Sequence, residues 1–144
     1  MKRSAELTPL SHEHHQALFV AMGLKRAEEP EAGAAFLDYH EETGARHFEI
    51  EEAVLLPGWL AADPDAEAAD AHRVLAEHLE IRAAAIRLRD GEPAVAELRE
   101  LGELLERHVR FEERELFPRI EQRLDGVSLR RLGAAIAAAE SGDP

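Results

Sequence analysis

Apolar side chains recur along this chain at steps of three and four, the period of a helix face rather than of a strand. Leu10, Ala17, Leu18, Ala21 and Leu24 make one such stripe. It predicts helix A, with Ser11 as N-cap, running to about Glu29 and stopped by Pro30. A second stripe of Phe36, His40, His47, Glu51 and Val54 predicts helix B from about Glu31 to Leu56. Pro57-Gly58 should end it, with Trp59 and Leu60 folding back as a plug. Asp63-Pro64 reads as N-cap and first-turn proline of helix C, which carries Ala71, Val74, Leu75, His78, Ile81 and Ala85 to about Arg89. Helix D extends from Glu92-Pro93 to about Leu124 on Leu98, Leu101, Leu105, His108, Glu112, Leu116 and Ile120, with a kink after Leu116 imposed by Pro118. A short helix from Ser128 to Ala139 follows, and residues 140–144 read as disordered. Strand signals are nearly absent. The expectation is all-α: an antiparallel up-down-up-down four-helix bundle with a short C-terminal fifth helix. Residues 1–144 form one domain in this reading, with the core bundle over about 10–124 and the tail helix over about 128–139.

Helices B and D place polar groups where apolar ones belong, and both do so in the same register. The blocks are His47-Phe-Glu-Ile-Glu51-Glu52-Ala-Val-Leu55-Leu-Pro57 and His108-Val-Arg-Phe-Glu112-Glu113-Arg-Glu-Leu116-Phe-Pro118. They agree in the His, in the Glu four and five residues on, in the Leu eight on and in the Pro ten on. Residues four apart share a helix face, so each block offers an imidazole and a carboxylate side by side. An ionised carboxylate buried without a partner is strongly disfavoured, and neither stripe carries an inward Lys or Arg. A pair of metal ions is the most favourable partner. Helix C adds His78, and helix A adds His14 or His15. His14 lies at the centre of its stripe and is favoured, whereas His15 is about 100° round the helix, facing Leu18 and Met22.

The candidate ligands are therefore His14, His15, His47, Glu51, His78, His108 and Glu112, with Glu51 and Glu112 able to bridge two ions. Imidazole and carboxylate suit iron, manganese or zinc. Four His leave positions open for water, hydroxide, O2 or another small ligand. Among the remaining polar residues, His40 reads as a hydrogen-bonded structural histidine, and His12 and His72 as surface. Glu77 reads as surface or as support behind the ligands. Glu52 and Glu113, five residues after each His and so turned away from it, likewise read as exposed or as support behind the ligands. Trp59 and Phe117 read as apolar plugs at the bundle end.

Composition narrows the function classes. The chain has no Cys, which excludes disulfides, thiolate zinc sites and iron–sulfur clusters. A formal net charge of −13 disfavours nucleic acid and anionic membranes as partners. No apolar run is long enough for a membrane helix, and the N-terminal stretch lacks a secretory signal, so the cytoplasm is the expected compartment.

These residues resemble the hemerythrin-like family, in its HHE cation-binding branch. Glu13-His14-His15, His47-Phe48 with Glu51-Glu52 and Pro57, Glu77-His78, and His108 with Glu112-Glu113, Phe117 and Pro118 carry the resemblance, in order, over about residues 7 to 124. It implies a four-helix bundle around a non-haem di-iron centre that binds O2 or related small molecules. The chain departs from the oxygen-carrying members at Val74, where they have a second His, and at Glu113, where they use Asp. The shorter ligand set points away from reversible oxygen transport. The leading expectation is a carboxylate-bridged di-iron protein that binds or senses O2, nitric oxide or peroxide, with binding rather than catalysis as its role. Iron storage, iron donation or iron-centre repair is the second. A metal-free helical interaction module, dimerising through the tail helix, is the third.

Overall fold

A computed structural model describes residues 2–142. It contains five helices and, among the described residues, no strand. They are α1 (Thr8–Lys25), α2 (33–62), α3 (Ala68–Asp90), α4 (95–123) and α5 (Gly126–Ser141). The all-α expectation holds. Cross-helix contacts give the direction of each neighbouring pair. Arg3, His14 and Lys25 meet Glu121, Glu112 and Glu106, so α1 and α4 run antiparallel. Glu13 meets His47 while Gln16 meets Thr43, which orients α1 against α2 in the same way. Gly33 lies beside Leu88 and Glu52 beside His78, so α2 and α3 are antiparallel. Asp70 with Arg119 and Glu77 with His108 give the same relation for α3 and α4. Helices α1 and α4 approach each other closely. A Cβ on Gly102 would fall 2.8 Å from both the Ala21 carbonyl oxygen and the Lys25 nitrogen.

Several helix ends differ from the sequence reading, each for a local reason. Helix α1 begins at Thr8 and stops at Lys25, short of Glu29. Leu7 is fully buried at its N-cap, and Pro9 occupies the first turn, where a missing N–H costs no helical bond. Ser11 is thus no cap: it is buried inside the helix, and its hydroxyl donates to Glu113 at 2.7 Å. Asp63 does not cap α3, which starts at Ala68. Its carboxylate instead accepts from the Trp59 indole N–H at 3.3 Å and the Asp65 N–H at 3.1 Å, and pairs with Arg123.

Pro57-Gly58 does not stop α2, while α4 continues past Pro118 as expected of helix D. Each proline follows a π turn, Glu51–Leu55 in α2 and Glu112–Leu116 in α4, and helical backbone continues to Ala62 and Arg123. The wider turn gives the proline ring room against the carbonyl of the preceding turn, the clash that otherwise breaks a helix. It also shifts the register beyond it, so that Leu55 and not Val54 is the fully buried residue. Helix α5 is longer than expected. Asp125 caps it by accepting from the Ser128 N–H at 2.7 Å, and it includes Glu140 and Ser141, which therefore are not disordered. The C-terminal residues 143–144 of that predicted tail lie outside the described residues.

Two apolar clusters fill the interior. One gathers Ala17, Leu24, Phe36, Ile81, Leu98 and Leu105, and the other Leu10, Leu55, Trp59, Val74, Leu116 and Ile136. Trp59 is buried as expected, while Leu60 stays partly exposed. The polar residues His14, His47, Glu51, His78, His108 and Glu112 lie along the helices between these clusters and are all buried.

Candidate metal centre

Four of the buried histidines, His14, His47, His78 and His108, come from four different helices and are held by a closed ring of carboxylates. Glu13 of α1 accepts the Nδ1–H of His47 on α2 at 2.9 Å. Glu52 of α2 accepts that of His78 on α3 at 2.8 Å. Glu77 of α3 accepts that of His108 on α4 at 2.8 Å. Glu113 of α4 accepts that of His14 on α1 at 2.8 Å, which closes the circuit. With Nδ1 occupied, each imidazole presents Nε2 to the interior, the orientation in which such carboxylates fix a metal-binding histidine.

Inside the ring stand Glu51 and Glu112, both fully buried. His14 Nε2 is 2.8 Å and His108 Nε2 3.6 Å from Glu112 Oε1. His78 Nε2 is 3.0 Å from Glu51 Oε1, and His47 Nε2 is 3.2 Å from Glu51 Oε2. Two sets of potential ligands result: His14, His47, Glu51 and Glu112, and Glu51, His78, His108 and Glu112, with the donor atoms of each set within 4.8 Å of one another. The sets share both carboxylates. Four inner atoms, His47 Nε2, Glu51 Oε2, His108 Nε2 and Glu112 Oε2, are buried without a hydrogen-bond partner. Buried polar atoms of this kind are rare and expensive unless something else satisfies them. A pair of divalent cations fits this donor set on both counts, since it would occupy the orphaned atoms and neutralise two carboxylates that have no buried Arg or Lys beside them.

The protonation pattern without metal has the same cause. Burial disfavours a charged imidazole at His47, but the charge of Glu51 and the hydrogen bond to Glu13 outweigh it and raise its pKa well above the ordinary value. His14 and His78 are likewise raised against burial, by Glu112 and Glu113 and by Glu51 and Glu52 respectively. For Glu51, burial is overcome by the His47 charge, and its pKa drops well below the carboxylate range. Burial and then the charge of Glu51 push Glu112 the other way. Protons thus take part of the place that cations would fill.

Of the sequence-predicted ligands, the fold brings together His14, His47, Glu51, His78, His108 and Glu112. His15 is exposed beside His12, with ring centroids 6.0 Å apart, and stands outside both sets. It lies one residue, about a quarter-turn, beyond the buried face. His40 is buried, but it is stacked on Phe36 (5.7 Å between centroids, 15° between planes) and its Nδ1 makes no hydrogen bond, unlike the hydrogen-bonded role expected of it. Phe117 stacks on His14 at 5.4 Å, so it is part of the wall of the site as well as an apolar plug. The four outer carboxylates were not recognisable as a ring from the sequence. Their one signal is adjacency: Glu13 and Glu77 directly precede a buried His, and Glu52 and Glu113 directly follow a buried Glu.

Comparison with known proteins agrees with this geometry. The chain matches the hemerythrin HHE cation binding domain over residues 7–120 and belongs to that family. No curated protein and no solved structure matches it. It is a metal-binding helical bundle of the HHE type.

Proposed function

We propose that the layer holds two ions of iron, with His14 and His47 on one, His78 and His108 on the other, and Glu51 and Glu112 bridging them. The observation that carries this reading is that the two ligand sets share both carboxylates, each with inner atoms that nothing else satisfies. Manganese or zinc would suit the same donors, but iron adds redox chemistry to a site whose four His leave coordination positions open. Bound iron would supply the sites at which O2, nitric oxide or peroxide is taken up. The chain's own residues do the rest. The outer carboxylates orient the imidazoles, the two apolar clusters keep bulk water away, and Glu112 is the inner carboxylate that more readily keeps a proton.

A net charge of −13 fits a small molecule as partner, rather than nucleic acid or an anionic membrane. Among the described residues no helix is long and apolar enough to cross a membrane. One domain acting in the cytoplasm completes the proposal. Its test is optical. Protein loaded with iron(II) without oxygen should develop a charge-transfer band on exposure to air and a different spectrum with nitric oxide. A protein that takes up no iron, or whose spectrum ignores both gases, would overturn it.

A further inference from the structure

Helix α3 is apolar on two faces, and only one of them meets the rest of the bundle. Ala71, Val74, Ile81, Ala85 and Leu88 point inward and are buried. Leu75, Leu79 and Ile86, at spacings of four and seven, share the outer face and are 43, 70 and 53 % exposed. Ala76 and Ala83 lie beside them and leave room between the larger side chains. His72 stands exposed at one end of this stripe and Asp90 at the other. The other exposed large apolar side chains among the described residues, Phe19, Met22, Leu60 and Val127, are spread over α1, α2 and α5. Single exposed apolar residues are ordinary, whereas a stripe of them on one helix marks a contact surface. Its charge is also unlike that of the rest of the chain. Arg73, Arg87 and Arg89 are exposed on α3 against Glu80 and Asp90, so this face is not acidic although the chain carries −13. The repulsion that such a net charge sets between two copies is missing here.

We propose that the outer face of α3 docks a second copy of this chain, antiparallel and related by a twofold axis at the level of Ile81. In that register the face is complementary to itself, as a twofold contact requires. Leu79 comes level with Ala83 of the second copy and Ile86 with Ala76, so each large side chain meets a small one. Leu75 lies beside Ile86 of the second copy. His72 comes level with Asp90, and the twofold makes each of these contacts twice. A parallel pair would set His72 against His72 and Asp90 against Asp90, like facing like. A single helix face offers less than the roughly 800 Å² per partner of a standard stable interface, so the dimer forms and separates with concentration. The inference is independent of the metal reading, because these side chains face away from the polar layer.

The test is sedimentation of the full chain over about a 100-fold range of concentration. The mass should rise from 16.0 kDa towards twice that value. Leu79→Glu should hold it at the monomer at every concentration, with an unchanged helical spectrum, while Phe19→Ser should leave the association as it is. A wild type that stays monomeric, or a dimer that survives Leu79→Glu, would overturn the inference. So would a dimer lost in Phe19→Ser, which would move the contact to α1. The register has its own measurement, since the chain has no Cys of its own. With a short bismaleimide, His72→Cys mixed with Asp90→Cys should cross-link to a dimer, and neither variant alone should. Cross-linking within each variant alone would show a parallel pair and overturn the antiparallel register.

Discussion

The His14–His47 side and the His78–His108 side of the polar layer use the same parts and support them differently. Each side pairs two imidazoles with Glu51 and Glu112, and each imidazole has a carboxylate behind it at 2.8 or 2.9 Å. On the second side those carboxylates are clamped by Arg82 and Arg73, and Phe48 lies flat on His78 at 3.8 Å. On the first side Glu113 has the Ser11 hydroxyl at 2.7 Å and Arg3 at 3.7 Å, and among the described residues no arginine pairs with Glu13. A repeated motif therefore reproduces the potential ligands without reproducing the groups behind their carboxylates. Stability of a metal site depends on what holds the ligands as much as on the ligands themselves.

The sharpest way to break the comparison is to remove what the sides share. Glu51→Ala deletes a ligand common to both sets, and Glu112→Ala does the same. Each should abolish binding of both ions, read as metal per chain after dialysis. Loss of a single ion would mean that the carboxylates do not bridge. A smaller effect should separate the sides. Glu77→Gln leaves His108 without its carboxylate and should weaken the second ion by about 10–100-fold. Glu13→Gln should change the first ion by less, because Glu13 is the poorly backed member of the ring. Competitive titration against a chelator measures both, and equal losses would erase the distinction drawn here.

Acidity sharpens it further. His14, His47 and His78 bind protons more tightly folded than unfolded. Their stabilisation of the metal-free chain is full below the unfolded imidazole value of about 6.5 and is lost as pH rises through the raised folded values. Glu140, pushed up to about 7 by burial and by Glu13, adds loss in the same direction, as does Glu112. Glu51, held low, contributes above the ordinary carboxylate value and loses that contribution only as pH falls through its depressed one. Metal-free protein should therefore melt at progressively lower temperature from about pH 6.5 upward. Metal-loaded protein should show the opposite slope, since ligands bind metal deprotonated. A metal-free chain that gains stability between pH 6.5 and 9 would contradict the ring as described. The smallest effect belongs to His15→Ala, which should leave metal content and melting temperature unchanged, because that imidazole is exposed.

How far the sequence could be read follows from where each residue's partner lies. His47 with Glu51 and His108 with Glu112 are legible because both members sit on one helix at a spacing of four, inside stripes that are otherwise apolar. The five helices followed from the same periodicity. Glu52, Glu77 and Glu113 could be read only as surface or as support behind the ligands, and Glu13 not at all, since each serves a histidine on another helix. A spacing of five says that Glu52 turns from His47 and nothing about His78. The prolines misled in a different way. Pro57 looks like a helix end and Pro118 like a kink, but the π turns ahead of them carry no composition signal of their own. The end of α5 was missed because Arg46, nearly a hundred residues earlier, holds its last turn.

The central claim is a two-ion centre bridged by Glu51 and Glu112, and its most direct test is a stepwise titration of metal-free protein with iron(II) under anaerobic conditions, followed by elemental analysis. The account predicts saturation at two ions per chain in the wild type and none retained in Glu51→Ala. Saturation at one ion, or two ions retained in Glu51→Ala, would contradict it.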